Sequence, residues 1–161
     1  MRTILFVCTA NICRSPMAEG LFRKRVQDEA EKWRISSAGL YAQPGYSPAQ
    51  NTLGVLLERG ISMMDHQSRP VSLDILEQNQ LILTMERGHK EALQAAFPHL
   101  AEKIFLVTEM IGEFRDIVDP VGLSWIDYED TAQELEAIFS QGFERICELA
   151  DSSEDSYASK E

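Results

Sequence analysis

The chain has 161 residues, 44% hydrophobic and 25% charged, a composition typical of one globular domain with a substantial core. Its net charge of −11 repels phosphate backbones and no apolar run is long enough to cross a bilayer, so we expect no nucleic-acid or membrane partner. Three cysteines make neither an even disulfide set nor paired zinc ligands, and no secretory signal precedes them, which favours a cytoplasmic protein without metal or cofactor.

In chain order, short apolar runs alternate with segments of helical composition. Strands are predicted at 3–7, 33–38, 80–84 and 103–107, and helices at 16–30, 48–59, 72–78 and 86–97. The first two helices begin at the proline of a Ser-Pro pair. A last helix is predicted over 126–149, followed by an acidic, disordered tail at 151–161. Alternating strands and helices predict an α/β domain over 1–150 with a parallel sheet, which binds ligands at the carboxyl ends of its strands.

Residues 8–16, CTANICRSP, join the first predicted strand to the first helix and carry the chemistry. Cys8 ends the strand, Arg14 follows six positions later, and Asn11 stands where a tight loop needs a left-handed residue. A loop that closes into a helix N-terminus directs its N–H groups at one point and cradles an anion. The Arg14 guanidinium suits two phosphate oxygens, and its field favours the Cys8 thiolate. The stretch predicts a phosphate-binding loop with a cysteine nucleophile.

Asp119-Pro120, ahead of the last predicted helix, supplies a second chemical group. A phosphatase that attacks with a thiolate needs an acid to protonate the departing phenolate, and an aspartate on a loop at the ligand end of the sheet could donate that proton. Asp-Pro is also a common turn opener, so the catalytic interpretation depends on the cysteine loop. Asp116 is a weaker candidate for the same role.

The segment VCTANICRSPMAE closely resembles the phosphate loop of the low-molecular-weight protein tyrosine phosphatases, whose pattern is V-C-x-x-N-x-C-R-S-P. The resemblance extends over residues 3–150 through SSAG, DHQSRP and the later DP. It implies a doubly wound, four-stranded parallel sheet of order 2-1-3-4 flanked by helices. It also implies a metal-independent protein-tyrosine phosphatase that hydrolyses phosphotyrosine through a cysteinyl-phosphate and releases inorganic phosphate.

The resemblance implies a role for each matching residue. Cys8 resembles the nucleophile, Arg14 the phosphate clamp and Asp119 the general acid. The phosphate-binding loop comprises Thr9, Ala10, Asn11, Ile12, Cys13, Arg14 and Ser15. The residues that hold it in shape are expected to be Asn11, Ser15, Ser37 and His66. Cys13 resembles the second loop cysteine, a redox partner that captures a sulfenic acid formed on Cys8.

The sequence departs from the family pattern after Asp-Pro, where Val121 stands in place of the aromatic residue that usually lines the substrate slot. Candidates for the substrate wall are Ile12, Tyr41, Tyr46, Trp125 and Tyr128, although each aromatic residue could equally belong to the core or the rim. His89 and His99 match no part of the pattern and are expected on the surface.

Three alternatives to a tyrosine phosphatase stay open. The related protein arginine phosphatases carry threonine where this chain has Ile12. The arsenate reductases of this fold need further thiols near the loop, whereas Cys147 lies far along the chain. A non-catalytic phosphate-binding module would be expected to lack Cys8 or Asp119. Phosphotyrosine-containing proteins are therefore the expected substrates. We also expect the protein to be a monomer or a weak dimer.

Overall fold

Four parallel strands form one sheet in the order β2-β1-β3-β4 in the structure, a computed structural model described over residues 1–158. The strands are β1 (Arg2–Cys8), β2 (Trp33–Gly39), β3 (Leu81–Thr84) and β4 (Ile104–Leu106). The predicted order 2-1-3-4 is confirmed. At the carboxyl end of β1, Cys8 lies opposite Gly39 and Val7 lies opposite Thr84. Because chain order reverses at β1, its carboxyl end opens on the crevice where doubly wound folds bind ligands.

Helices cover both faces of the sheet, because alternate residues of β1 point to opposite sides. Ile4 and Phe6 face α1 (Arg14–Arg25), α2 (Gln50–Leu57), α5 (Trp125–Gln141) and α6 (Phe143–Ala158). Leu5 and Val7 face α3 (Leu73–Glu77) and α4 (Arg87–Ala96). Short 3-10 turns at Gln27–Lys32, Pro98–Lys103 and Val107–Ile111 complete the connections. All four of these β1 side chains are fully buried, so the strand that ends at Cys8 is held from both sides.

An aromatic cluster fixes α1 and α5 over the sheet. The ring of Phe22 on α1 lies 5.9 Å from that of Phe6, 5.2 Å from that of Phe139 and 5.1 Å from that of Trp33, each in an edge-on arrangement. Such pairs add about 0.5–1.5 kcal/mol each beyond the burial of their area. The helix that follows the cysteine loop is therefore rigidly placed.

Two predicted helices differ from those in the structure. The helix expected over 16–30 begins at Arg14 and ends at Arg25. The last helix, expected over 126–149, is two helices that meet at Gly142. A Cβ at Gly142 would lie 2.8 Å from both Cβ and the carbonyl oxygen of Met110, so only glycine allows this approach. The apolar periodicity continues through the break and conceals it.

Helix α6 extends as far as Ala158, into the segment predicted as a disordered tail. Once a helix has formed, each added residue gains a backbone hydrogen bond at little further cost. Arg2 also donates to both carboxylate oxygens of Asp151, at 2.8 and 2.9 Å, which attaches this turn to β1. Residues 159–161 lie outside the described residues. Within the part of the chain that is described, no helix has the length and apolar character needed to span a membrane.

Candidate active site

The loop between β1 and α1 curls tightly around the Cys8 thiol. Asn11 adopts a left-handed conformation with φ 59°, as the sequence predicts, and its backbone N–H points to Cys8 Sγ at 3.3 Å. Gly39 supports the loop, since a Cβ there would lie 2.7 Å from the Thr9 carbonyl oxygen and 2.9 Å from the Asn11 nitrogen. The backbone of residues 8–9 accepts hydrogen bonds from residues 40–41, each at 2.9 Å. The loop is thus an extension of the β1–β2 pairing.

The Cys8 thiol is buried at the start of α1 and has a hydroxyl partner. Its Sγ lies 2.9 Å from the Oγ of Ser15, in the first turn of the helix. The unpaired N–H groups at a helix N-terminus carry partial positive charge and favour an anion there. A hydroxyl donor, a backbone N–H and a helix N-terminus therefore converge on one sulfur atom.

The Asn11 side chain fastens the loop to three segments. Its Nδ2 donates to Ser15 Oγ at 2.8 Å and to Ser37 Oγ at 2.9 Å, and its Oδ1 accepts from the Arg69 backbone N–H at 3.1 Å. The Asn11 carbonyl oxygen lies 3.0 Å from His66 Nε2, which places the imidazole proton on that nitrogen. All four residues expected to hold the loop in shape therefore lie in one network.

This network continues into α1 through Glu19, which sequence reasoning did not identify. Ser37 donates to Glu19 Oε1 at 2.9 Å, and Arg23 lies 3.1 Å from the other carboxylate oxygen. Glu19 is buried, and a buried carboxylate needs such partners to remain in the core. Its spacing of four residues from Arg23 on α1 was the available signal for that ion pair, but the sequence does not show that Ser37 of β2 lies beside it.

Arg14 is only 1% exposed, and every contact of its guanidinium is with a residue remote in sequence or with the loop itself. Nη1 donates to the Ile117 carbonyl oxygen at 2.8 Å, while Nη2 donates to Glu86 Oε2 at 2.8 Å and to Asp119 Oδ2 at 3.3 Å. The Nε is buried without a partner among the described residues. An unsatisfied buried donor is costly, and a phosphoryl oxygen in the loop could accept from it.

Asp119 stands on a short turn that brings its carboxylate to the loop. Its Oδ1 accepts from the Val121 N–H at 3.1 Å, the Leu123 N–H donates to the Pro120 carbonyl at 2.9 Å, and Gly122 takes φ +75°. The other oxygen faces Arg14, so the two predicted motifs meet. Asp116, the weaker candidate, is instead bound by the backbone N–H and the guanidinium of Arg87, which lower its pKa.

His89 was expected on the surface, and this prediction is wrong: its exposure is 5%. Its Nε2 lies 2.9 Å from Thr9 Oγ1 and 3.3 Å from Glu86 Oε2, while Nδ1 is buried without a partner among the described residues. Burial lowers the His89 pKa and the Glu86 carboxylate opposes that effect. Glu86 and His89 follow directly after β3, at the ligand end of the sheet, and this position was the overlooked signal.

The candidates for the substrate wall divide into residues that are exposed or partly exposed and one that is buried beneath the phosphate loop. Tyr41 and Tyr46 are 73% and 62% exposed, and Ile12 is partly buried against the main core. Trp125 packs on Gly54 and is 38% exposed. Tyr128 does not fit a wall, because it is 4% exposed and its hydroxyl lies 3.5 Å from Cys13 Sγ beneath the loop. Burial and the contact with Cys13 raise the Tyr128 pKa.

Comparisons with known proteins agree with this geometry. The family model described as low molecular weight phosphotyrosine protein phosphatase matches residues 3–151. The protein-arginine-phosphatase of Bacillus subtilis is 35% identical over 139 residues, covering 86% of this chain and 92% of that protein. The low molecular weight protein-tyrosine-phosphatase PtpB of Staphylococcus haemolyticus is 36% identical over 132 residues, covering 82% and 91%.

Solved structures give the same result. The low molecular weight protein tyrosine phosphatase from T. tengcongensis has a TM-score of 0.85 and 36% identity to this chain, over 90% of this chain and 99% of that one. A cysteine-to-serine mutant of the arginine phosphatase YwlE, with a phosphorylated active-site serine, has a TM-score of 0.84 and 33% identity, over 92% and 96%.

Proposed function

The chain belongs to the low molecular weight phosphotyrosine protein phosphatase family, and on this premise we propose that it hydrolyses phosphotyrosine in proteins through a phosphorylated Cys8. One observation carries the proposal: Cys8 Sγ lies within 2.9 Å of Ser15 Oγ and 3.3 Å of the Asn11 N–H, at the mouth of a loop closed by Arg14 and Asp119. A thiolate, a phosphate clamp and an acid thus share one cleft.

In the first step, the Cys8 thiolate attacks phosphorus in line with the leaving oxygen. The S–P bond forms as the P–O bond to the phenol breaks, and Asp119 gives its proton to the departing phenolate. Ser15 Oγ–H stabilises the thiolate before attack. Arg14 and the loop N–H groups hold the equatorial oxygens, on which charge is spread in the transition state. The products of this step are a free phenol and a cysteinyl-phosphate.

In the second step, water hydrolyses the cysteinyl-phosphate. Asp119, now ionised, takes a proton from the attacking water, the O–P bond forms, and the S–P bond breaks to return the Cys8 thiolate. Inorganic phosphate leaves. Arg14 and the loop amides supply the positive field in both steps, which supports a reaction without metal or cofactor.

Similarity alone does not separate a tyrosine substrate from an arginine substrate, because relatives of both kinds are about equally identical to this chain. Ile12 supports phosphotyrosine, since the related arginine phosphatases resemble this chain elsewhere but carry threonine there. Its carbonyl oxygen accepts from the Ala49 N–H at 2.9 Å, which anchors this residue beside the phosphate site. An apolar β-branched side chain favours a flat aromatic leaving group, and a hydroxyl would favour a guanidinium.

Arsenate reduction is the weaker alternative, because Cys147 lies far from the loop. The Cys147 thiol lies in the field of Arg2 at the amino end of β1, whereas Cys8 is at the carboxyl end. A seven-residue strand spans about 20 Å, too far for thiol exchange. Cys13 is the remaining thiol, and one nearby thiol does not supply a relay.

Cys13 supports reversible redox control of the same site. Cys8 and Cys13 are free thiols in the same buried cluster, and burial raises the pKa of Cys13, which keeps it a neutral thiol beside the reactive one. Peroxide converts a reactive thiolate to a sulfenic acid, and a neighbouring thiol that displaces water from it forms a disulfide. The three free cysteines also support a cytoplasmic location.

The test is hydrolysis of phosphotyrosine, phosphoarginine and phosphoserine peptides with EDTA present. We expect phosphotyrosine to be the best substrate. Cys8→Ser should abolish turnover and retain vanadate binding, and Asp119→Ala should lower kcat/KM by about 10²–10⁴-fold for poor leaving groups. Cys147→Ser is the matched control and should retain wild-type rates. Turnover by Cys8→Ser, or loss of activity with EDTA, would contradict the mechanism.

A further inference from the structure

Trp125, the first residue of α5, packs its six-membered ring directly on Gly54 of α2. A Cβ built on Gly54 would lie 2.5 Å from Cζ3 and 2.9 Å from Cη2 of that ring. Carbon atoms in contact stay about 3.5–4.0 Å apart, so no side chain other than hydrogen fits between them. Gly54 sits in an ordinary helical conformation, where glycine is otherwise unfavourable. Gly54 therefore makes room for the Trp125 ring, although glycine disfavours the helix in which it lies.

The turn that carries Asp119 leads without interruption into Trp125. Residues 119–123 are closed by their own hydrogen bonds, and Ser124 then caps α5 by its reciprocal bonds with Asp127. The turn and the first turn of α5 are thus one unit. Val118, Val121 and Leu123 of this segment are each more than half exposed, whereas Pro120 is buried. Trp125 is therefore the anchor of the segment on the α5 side, and Pro120 anchors the turn itself.

The other side of Asp119 is fixed separately. The Ile117 N–H donates to the Met85 carbonyl at 2.8 Å, and the Ile117 carbonyl accepts from Arg14. Further along α5, Glu129 and Glu136 bind Arg59, which lies two residues after α2. Arg59 contacts both carboxylate oxygens of Glu129, at 2.7 and 2.9 Å, and one of Glu136, at 2.8 Å. Between these two fixed points, the acid turn is held by the buried Pro120 and by the packing of the first turn of α5 on α2.

We propose that Trp125 is a positioning residue for the general acid, Asp119, and that Gly54 forms the notch into which the Trp125 ring packs. The notch is continuous with the phosphate loop, because Ala49, one residue before α2, donates to the Ile12 carbonyl. α2 therefore holds the phosphate loop at its start and the acid turn at Gly54. This role rests on the proposed function of Asp119 as the acid, and it replaces the expected role of Trp125 as a substrate wall.

The test is kcat/KM of Gly54→Ala on phenyl phosphate, whose basic leaving group depends strongly on an acid, and on p-nitrophenyl phosphate, whose more acidic leaving group depends on it much less. Alanine has a higher helix propensity than glycine, so a loss of activity would not come from a weakened α2 helix. We expect a loss of about 10-fold or more on phenyl phosphate, since misplacement by 1 Å costs up to about 100-fold, and a loss within about twofold on p-nitrophenyl phosphate. Gly88→Ala is the matched control, because a Cβ on that helical glycine meets no atom within 4 Å.

Trp125→Leu provides a second route, because it empties the notch without changing α2. It should give the same leaving-group dependence, and adding Gly54→Ala to it should change nothing further. Tryptophan emission should shift to the red in Gly54→Ala, since the other tryptophan, Trp33, is buried in the core. If Gly54→Ala does not fold, the two substrates are compared in Trp125→Leu alone.

Equal losses on the two substrates, or wild-type rates in both variants, would overturn the proposal. Asp119→Ala, measured in parallel, separates it from the proposed function. If Asp119→Ala affects both substrates equally, the assignment of the acid is wrong and the positioning role falls with it. If Asp119→Ala discriminates between the leaving groups and neither Gly54→Ala nor Trp125→Leu does, only the positioning role is wrong.

Discussion

Replacing Asn11 should reveal most about the loop, because both the left-handed backbone and the side-chain hydrogen bonds of this residue hold the loop in shape. Asn11→Ala removes two donated hydrogen bonds and one accepted bond, at 2.8, 2.9 and 3.1 Å. At about 1 kcal/mol each these amount to roughly 3 kcal/mol, and alanine in a left-handed conformation adds about 1–2 kcal/mol. The free energy of unfolding should therefore fall by about 4–5 kcal/mol, a large part of the ~5–15 kcal/mol of a typical domain.

Two further variants divide this loss into its causes. Asn11→Gly removes the same side-chain bonds but tolerates φ 59°, so it should be more stable than Asn11→Ala by about 0.5–1 kcal/mol. Asn11→Asp tolerates the conformation and still accepts from the Arg69 N–H. It cannot donate to Ser15 Oγ, however, and the Ser15 hydroxyl would turn from Cys8 to the new carboxylate. Because the new carboxylate would be fully buried close to Glu19 and to the Cys8 thiolate, Asn11→Asp should be inactive and no more stable than Asn11→Ala.

The measurements are urea unfolding followed by tryptophan emission, and kcat/KM on an aryl phosphate. A loss below about 1 kcal/mol in Asn11→Ala would mean that the network does not hold the loop. Substantial activity in Asn11→Asp would mean that the direction of the Ser15 hydroxyl is unimportant. Either result would refute the reasoning from these contacts.

The remaining predictions concern a titrating residue, substrate choice and oxidation. Because burial lowers the pKa of His89 below its ordinary 6.5, the unfolded chain takes up that proton first as pH falls. The wild type should thus lose stability below about pH 6.5, and His89→Gln should lose less between pH 7.5 and 5.5 in urea unfolding. Ile12→Thr should shift the ratio of phosphotyrosine to phosphoarginine hydrolysis towards phosphoarginine, and equal wild-type efficiency on both substrates would count against the tyrosine assignment. Peroxide should inactivate the wild type, dithiothreitol should restore its activity, and tryptic mass spectra of the oxidised enzyme should contain a Cys8–Cys13 disulfide. Cys13→Ser should recover little activity after the same treatment. Equal recovery of the two proteins, together with no Cys8–Cys13 disulfide, would exclude the switch.

The parts of the site that could be predicted lie close together in sequence. Cys8, Asn11 and Arg14 fall within seven residues, and their spacing between a predicted strand and a Ser-Pro helix start predicts a loop that closes into a helix N-terminus. Asp119 was identified by its chemistry and its place at the ligand end of the sheet. In both cases local sequence determines local conformation, and the parallel sheet brings the two loops to the same edge.

The parts that could not be predicted depend on how remote segments dock. In the sequence, His89 is an ordinary helix residue. It is buried because α4 packs beside Thr9, a contact that the sequence does not reveal. Tyr128 and Trp125 are three residues apart on one face of α5, and the placement of α2 decides that one lies beneath the loop and the other on Gly54. Contacts between helices leave little trace in a single sequence.

The pairing of Arg14 with Glu86 and Asp119 has a consequence for how anions come and go. A buried cation without counter-ions would be expensive to maintain, and it would hold any phosphate that reached it. Here the guanidinium already has carboxylate partners, so an arriving phosphoryl group exchanges one anion for another and the total of close ion pairs changes little. Departure of inorganic phosphate is the same exchange in reverse, with the two carboxylates taking back the donors. Under the proposed function, this exchange of anions on Arg14 lets inorganic phosphate leave the site, as turnover requires.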